Sequence, residues 1–156
     1  MTKRILVTGG LGFIGMALVK RFLAEGHFVR VLDNQSRGLL RTQLGPVEYL
    51  EYDIRDEYMV HIATQDMDEV HHLAYVNGTK TFYEKPDLVL DVGVRGAVNV
   101  VDACIANRVP HLFIVSSSEV CRAKLVDTEE AIPLVIPDPL NPRYSYSAGK
   151  IITEML

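Results

Sequence analysis

The segment TGGLGFIG at residues 8–15 decides the fold of this 156-residue chain. It follows residues 5–7, whose apolar, β-branched character suits a buried strand, and it leads into residues 16–23, whose apolar positions have helical spacing. A strand that turns into a helix through glycines leaves backbone N–H groups unpaired at the positive end of the helix dipole. A diphosphate satisfies both the N–H groups and the dipole, so the segment predicts a dinucleotide-binding turn.

Each glycine of this segment has an expected role. Gly9 permits the tight turn, Gly12 lets the backbone approach the pyrophosphate, and Gly15 lets helix and strand pack closely. Three glycines alone also suit a turn that exists only for packing. The neighbouring residues must therefore decide between a ligand and packing.

Asp33 favours the ligand. The apolar run at residues 28–32 ends in Asp33, about twenty residues past the glycines, where a carboxylate can accept both ribose hydroxyls of an adenosine. The same carboxylate repels a 2′-phosphate, which favours NAD over NADP. NADP remains an alternative cofactor because of Arg37, since a nearby arginine can accommodate that phosphate.

Composition and charge argue against several other classes of function. The 48% hydrophobic content and the net charge of −4 suit a soluble globular domain, and no basic stripe indicates a nucleic-acid partner. No apolar run approaches the ~18 residues of a membrane span and nothing resembles a signal peptide, so we expect no membrane partner and a cytoplasmic location. Cys104, expected in the core, and Cys121 have neither disulfide nor metal-ligand spacing, and we expect no metal.

Strand and helix patterns alternate along the rest of the chain. Further strands are predicted at 47–52, 70–74 and 111–115, with a helix capped by Asp56 and a long helix at 87–107. This alternation predicts an α/β fold with a doubly wound parallel sheet in the strand order 3-2-1-4-5.

Two glycines and a proline-rich segment interrupt these patterns. Gly93 and Gly96 weaken the long helix, so we expect another element to approach it closely there. Residues 122–142 contain four prolines and are expected to form a loop, and a helix is expected to start at 143–154.

Tyr146 and Lys150 are four residues apart and share a face of that last helix. An ammonium beside a phenol favours the phenolate, and a phenol tuned in this way can serve as a general base near neutral pH. Such a pair is common on solvated helix faces. Here it follows the glycine turn and three serines, 116–118, that come directly after the fifth predicted strand.

The sequence resembles the extended short-chain dehydrogenase/reductase family, specifically its NAD-dependent sugar-nucleotide epimerase/dehydratase branch. The resemblance covers essentially the whole chain, and the order and spacing of the matching segments are specific. These segments are TGGLGFIG at 8–15, DNQSRG at 33–38, DIRD at 53–56, HLA at 72–74, SSSEV at 116–120 and YSAGK at 146–150, followed by Glu154.

The resemblance implies a Rossmann fold that binds NAD along this set of positions. The pyrophosphate would be held by Gly9, Gly12, Phe13, Ile14 and Gly15, the adenosine ribose region by Asp33, Asn34, Ser36 and Arg37, the adenine by Asp53 and Ile54, and the nicotinamide end by Leu73, Ala74, Tyr75, Tyr146 and Lys150. Asp53 could equally be a helix-entry residue.

The resemblance also implies a reaction. Tyr146 would take a proton from a sugar hydroxyl while hydride leaves that carbon for the nicotinamide, and Lys150 would hold the nicotinamide ribose and favour the tyrosinate. Ser117 matches the residue that orients the substrate hydroxyl. Ser118 and Glu119 fall where dehydratases and decarboxylases carry further acid/base groups, although Glu119 could be only a structural hydrogen-bond partner. SSSEV looks more like the uronate-decarboxylase form, and epimerisation, dehydration, decarboxylation and reduction of the keto sugar all stay open.

Three departures from the family pattern concern the substrate side. Gly93 stands where the family commonly has asparagine, Gly149 stands where a serine often precedes the lysine, and residues 120–122 replace Val-Tyr-Gly.

The chain is also about half as long as family members. Residues 1–156 are therefore expected to be an incomplete NAD-binding domain that ends within the helix of Tyr146, without the last strands and the substrate domain. The resemblance further implies a nucleotide-sugar substrate and a homodimer through the long helix and the helix of Tyr146. An NAD(P)-dependent alcohol or ketone reductase, or a non-catalytic NAD-binding domain, remain the alternatives.

Overall fold

The computed structural model describes residues 2–37, 45–120, 136 and 138–156, and these form a five-stranded parallel sheet in the order β3-β2-β1-β4-β5. The predicted strand order is therefore confirmed. The strands are β1 (Arg4–Thr8), β2 (Phe28–Leu32), β3 (Glu48–Leu50), β4 (Glu69–His72) and β5 (His111–Ile114).

Helices cover both faces of this sheet. On one face Ile5 and Val7 pack against Met16 and Val19 of α1, whereas on the other Leu6 packs with residues of α2 and α5. The predicted doubly wound arrangement is thus confirmed. The helices are α1 (Phe13–Ala24), α2 (Glu57–Thr64), α3 (Thr79–Glu84), α4 (Pro86–Leu90), α5 (Gly96–Ala106) and α6 (Ser145–Glu154), with a π-helical segment, Asp91–Arg95, joining α4 to α5.

The carboxyl ends of the five strands lie in one row. Thr8 pairs with Leu32 on one side and His72 on the other, and the row continues to Leu50 and Ile114. The predictions of strands at 47–52, 70–74 and 111–115 were therefore too long at this end. The residues directly after the row still donate to the last carbonyls of a neighbouring strand, as the Leu73 N–H does to the Thr8 carbonyl at 3.1 Å, and the chain then leaves the sheet.

Several local predictions are confirmed. The Asp56 carboxylate accepts the Met59 N–H at 3.1 Å and caps α2, and Cys104 is buried in the core. Helical structure runs from Pro86 to Ala106, and a Cβ on Gly93 or Gly96 would lie 2.2 or 2.3 Å from the nearest side-chain atom of a neighbour, so both glycines mark close approach.

Helix α3 has no counterpart among the sequence predictions. Most of the expected loop at 122–142 lies outside the described residues, as does Cys121. Before α6, the Asn141 side chain accepts the Arg143 N–H at 3.0 Å and starts a 3₁₀ turn at Pro142–Tyr144.

Candidate functional site

A cavity of about 540 Å³ opens above the carboxyl ends of the strands. It extends from the glycine turn after β1, past the residues that follow β2, β3 and β4, to Tyr146 on α6. Ligands of open parallel sheets bind in this position, because the loops diverge where the strand order reverses. The reversal here lies at β1, between β2 and β4.

The glycine turn forms one end of the cavity. Gly9 has φ of +70°, donates its N–H to the Leu32 carbonyl at 2.8 Å and accepts the Gly12 N–H at 3.0 Å. Gly12 is the N-cap of the 12-residue helix α1, and among the described residues no side chain caps this helix. The first N–H groups of α1 therefore point toward the cavity with the positive end of the helix dipole behind them.

Asp33 is held rigidly beside this turn. One carboxylate oxygen accepts the Leu11 N–H at 3.0 Å and the other accepts the Gln35 N–H at 2.8 Å. These bonds fix the carboxylate at the end of β2 before any ligand arrives. Each carboxylate oxygen can accept more than one hydrogen bond, so both still have capacity for ribose hydroxyls.

Asp53 connects the loops that follow β2 and β3. Its carboxylate accepts the Asn34 amide at 2.9 Å and two Arg55 nitrogens at 2.8 and 3.0 Å. The Arg55 guanidinium, assisted by Asn34, lowers the pKa of Asp53 to about 2 against the cost of burial. Arg55 also donates to Asp91 in the π-helical segment at 2.8 Å, so this charged network closes one side of the cavity.

The opposite end of the cavity carries the tyrosine and lysine of α6. Tyr146 is 8% exposed and packs between the rings of Tyr75, edge-on at 5.0 Å, and Phe82, stacked at 5.2 Å. Lys150 is 4% exposed, and its Nζ donates to the Val115 carbonyl at 2.6 Å. Burial lowers the pKa of Lys150 to about 8.

His72 lies in the core beneath these groups. Its Nδ1 is 2.7 Å from the Thr8 hydroxyl, which also accepts the Ala74 N–H at 3.3 Å. Burial, with a smaller contribution from Lys150, lowers the pKa of His72 to about 3, so the imidazole is neutral. The loop that leaves β4 toward the cavity is thereby tied to β1 without adding charge.

The segment after β5 is organised around an ion pair. Both carboxylate oxygens of Glu119 accept from the Arg143 guanidinium, at 2.9 and 3.2 Å, which raises the pKa of Arg143. The Ser117 hydroxyl accepts the Glu119 N–H at 3.2 Å. In the described part of the chain, Ser117, Ser118 and Glu119 do not line the cavity.

Comparison with known proteins identifies the family. The sequence profile of the NAD dependent epimerase/dehydratase family matches residues 5–156. The chain belongs to this family. The cofactor expected from the sequence, NAD, is the one that the family uses.

Two curated members of this epimerase/dehydratase family that resemble the chain are named as enzymes of UDP-sugars. It is 30% identical to the UDP-N-acetyl-alpha-D-glucosaminuronate decarboxylase of Bacillus cytotoxicus, covering 100% of this chain and 49% of the relative. It is 32% identical to the UDP-glucose 4-epimerase of Mycolicibacterium smegmatis, covering 97% and 49%. The crystal structure of Thermus thermophilus UDP-glucose 4-epimerase with NAD matches with a TM-score of 0.83 at 33% identity, covering 97% and 49%. The chain thus spans about half the length of these relatives.

The structure brings most of the family's expected cofactor residues together around the cavity. All those named from the sequence line it except Lys150, which lies just behind Tyr146. Other lining residues are not among those predicted from the sequence, namely Leu11, Leu32, Tyr52, Arg55, Val76, Asn77, Leu88, Val92 and Val115. Tyr52, Val76 and Val115 could have been found, because Tyr52 and Val115 are the last residues of predicted strands and Val76 comes two residues after one.

The cavity fits the NAD that this family uses. Its volume lies within the roughly 300–1,000 Å³ of small-molecule sites. The uncapped start of α1 suits a diphosphate, and the fixed Asp33 carboxylate suits a ribose. Phe13 and Ile14 line the cavity and are 90% and 57% exposed, and a bound dinucleotide would cover part of this apolar surface.

Among the described residues, no group of three or more His, Cys, Asp or Glu side chains could hold a metal ion. In residues 2–37, 45–120 and 138–156, no helix has the length and apolar character required to cross a membrane.

Replacing Lys150 by Met is expected to change how stability depends on pH. The folded Lys150 releases its proton near pH 8, whereas the unfolded side chain keeps it to about pH 10.5. The unfolded state therefore binds more protons between these values, and the Lys150 contribution to stability rises with pH across this window. Below about pH 8 the full cost of the buried charge is present.

Urea unfolding of wild type and K150M at about pH 7.5, 9 and 10.5 measures this effect. We expect the wild-type free energy of unfolding minus that of K150M to rise by roughly 3 kcal/mol over the series. Other ionisable groups occur in both proteins and largely cancel in the difference. A difference that stays constant with pH would show that Lys150 is not held in a charge-disfavouring environment.

Proposed function

We propose that this protein is an NAD-dependent enzyme that oxidises a hydroxyl of a nucleotide sugar to a transient ketone. The observation that carries the proposal is a single cavity with a diphosphate-binding turn at one end and Tyr146 at the other. The relatives named above act on UDP-sugars, which supports a UDP-sugar as substrate. NAD, when bound, would accept the hydride that leaves the sugar carbon.

In the proposed reaction the α6 residues handle the proton. Tyr146 takes the proton from the sugar hydroxyl as general base, and the buried Lys150 lies on the same face of α6. Leu73, Ala74 and Tyr75, which follow β4, line the path to the nicotinamide, while Gly9, Gly12 and Asp33 hold the opposite half of the dinucleotide. Ser117 orients the substrate hydroxyl once the sugar is bound.

The fate of the ketone depends on the segment after β5. Glu119 is fixed by Arg143, so its carboxylate acts either as a placed acid/base group or as an anchor for the segment. A uronate decarboxylase is the specific second candidate, supported by the decarboxylase relative and by SSSEV at 116–120. Incubation of the protein with UDP-glucuronate and, separately, with UDP-glucose distinguishes the two reactions. Loss of CO₂ from UDP-glucuronate indicates decarboxylation, and an epimer of UDP-glucose indicates epimerisation.

We also propose a homodimer through the long helix and α6. Apolar side chains remain exposed on both, including Leu90 and Ile152. Sedimentation as a monomer at high micromolar concentration would contradict this part of the proposal.

The first test is calorimetric titration with NAD and NADP. We expect NAD to bind at least about tenfold more tightly than NADP, because the fixed Asp33 carboxylate accepts ribose hydroxyls and repels a 2′-phosphate. Replacing Asp33 by Asn should weaken NAD binding by roughly 10- to 100-fold and reduce the difference between the affinities for NAD and NADP. The matched control is D102N, which changes an exposed aspartate on α5 and should leave both affinities unchanged.

Two outcomes would overturn the assignment. Equal affinities for NAD and NADP would remove Asp33 as the discriminating residue and assign the 2′-phosphate to Arg37. Absence of binding by either dinucleotide would contradict the cofactor site proposed for this chain.

A further inference from the structure

Tyr75 occupies space that two glycines on separate helical segments leave open. Its side chain reaches from the loop after β4 to the contact between the π-helical segment and α6. A Cβ on Gly93 would lie 2.2 Å from the Tyr75 hydroxyl and 2.2 Å from its Cζ, and a Cβ on Gly149 would lie 2.1 Å from the same hydroxyl. The Tyr75 side chain therefore leaves no room for a Cβ at either position. Its ring and hydroxyl both block Gly93, whereas only its hydroxyl blocks Gly149, whose Cβ would lie 3.5 Å from Cζ.

The same ring contacts both functional side chains of α6. The Lys150 Nζ lies 4.1 Å from the centroid of the Tyr75 ring, compared with 6.0 Å from the Tyr146 centroid. Tyr75 meets Tyr146 edge-on at 5.0 Å and 77°. A cation over an aromatic face is attracted most strongly when water is excluded, as it is around the buried Lys150. The ammonium is thus held between the Tyr75 ring and the Val115 carbonyl.

The Tyr75 hydroxyl has no hydrogen-bond partner within the described part of the chain, although it is buried. A buried hydroxyl without a partner costs stability, so hydrogen bonding does not explain this placement. Tyr75 instead packs beside the two glycines and presents the face of its ring to the Lys150 Nζ. Lys150 and Tyr146 both contact the aromatic ring of Tyr75.

We propose that Tyr75 is a positioning residue that holds Lys150 and Tyr146 in place, and that Gly93 and Gly149 are glycine because the Tyr75 side chain, with its hydroxyl, fills the space beside them. The role in catalysis rests on the proposed function, whereas the placement against the two glycines does not. The two can therefore be tested separately.

The placement is tested by thermal unfolding of combined variants. In wild type, G93A and G149A should each lower Tm by about 3 °C or more, because either methyl group collides with Tyr75. In the Y75F background the colliding oxygen is gone and the Gly149 Cβ would next meet Cζ at 3.5 Å, an ordinary contact. Y75F should therefore reduce the G149A shift to less than about 1 °C while leaving the G93A shift, because Cζ itself blocks Gly93.

Gly96 provides the matched control. The three atoms nearest to a Cβ there would all belong to Ile54, the first at 2.3 Å, so G96A should lower Tm equally in the wild-type and Y75F backgrounds. A G149A shift that is the same in both backgrounds would overturn the placement. Because Y75F keeps the ring and removes an unpaired hydroxyl, this comparison does not depend on a variant that fails to fold.

The positioning role is tested by kinetics of the full-length gene product with its nucleotide sugar. Y75L removes the ring, and we expect kcat to fall about tenfold or more with the KM for the sugar changed less than about threefold. Y75F should recover most of the lost rate, because it keeps the ring face beside Lys150. A purely structural role would lower the amount of folded enzyme without this split between kcat and KM.

The outcomes separate the two proposals. If the Tm pattern appears but wild type turns over no nucleotide sugar, the proposed function fails and the placement stands. If wild type is active and Y75L keeps its kcat, or Y75F loses as much as Y75L, the positioning role is overturned.

Discussion

Replacing Tyr146 by Phe is expected to lower the rate of hydride transfer by about 10²- to 10⁴-fold, the usual contribution of a general base. The ring of Tyr146 lies between Tyr75 and Phe82, and phenylalanine keeps both ring contacts. Stability and NAD affinity should therefore change little. Single-turnover NADH fluorescence of the full-length gene product with a UDP-sugar, together with calorimetric titration of NAD, measures the rate and the affinity separately.

The matched control for this variant is Y144F. Tyr144 lies two residues earlier, is half-buried and does not line the cavity within the described residues. Its hydroxyl is not expected to contact the substrate, so Y144F should keep the wild-type rate within about threefold. If Y146F retained the wild-type rate, Tyr146 would no longer be the base, and the non-catalytic NAD-binding alternative or another base would have to be considered.

The fold and the cofactor end of the site could be predicted because local sequence features specify them. The glycine turn, Asp33 and the alternation of strands with helices each depend on a few neighbouring residues, and parallel topology then brings the strand ends together. Residues after β3, β4 and β5 line the cavity for the same reason. Their expected strands were too long because strand length depends on pairing with neighbours, which composition does not reveal.

The tyrosine end depends on contacts between residues that are distant in sequence. Spacing predicts that Lys150 and Tyr146 share a helix face. It does not show that Tyr75 lies between the long helix and α6, with its ring closer to the Lys150 Nζ than the Tyr146 ring is. The departures at Gly93 and Gly149 could be seen in the sequence as separate losses. The structure gives both one cause, because the Tyr75 hydroxyl lies beside each.

The pair of Glu119 and Arg143 is another contact of this kind. The two residues are 24 positions apart, and no periodic pattern links them. The sequence left the role of Glu119 open between acid/base chemistry and structure. The bidentate ion pair adds a structural role, and it orients the segment that contains Ser117 toward α6.

Replacing Gly15 by Ala is expected to damage both folding and cofactor binding. A Cβ at this position would lie 2.2 Å from the Gly9 carbonyl oxygen and 2.7 Å from the Gly10 Cα, which are backbone atoms. The turn cannot easily move away from this Cβ, because backbone hydrogen bonds join Gly9 to Leu32 and to Gly12. We expect a loss of about 3 kcal/mol in the free energy of unfolding and a roughly 100-fold weaker affinity for NAD, because the N–H groups that face the diphosphate must move.

Gly26 separates this collision from ordinary backbone strain. It has φ of +80° and no atom within 4 Å of a Cβ built on it, so G26A should cost only about 1 kcal/mol in urea unfolding and leave NAD affinity unchanged. Gly12 separates folding from binding. Its Cβ would meet only the Gly9 oxygen, at 3.2 Å, so G12A should fold while its methyl group obstructs the diphosphate. If G15A bound NAD as tightly as G26A does, the close approach of helix and turn would not be what shapes the diphosphate site.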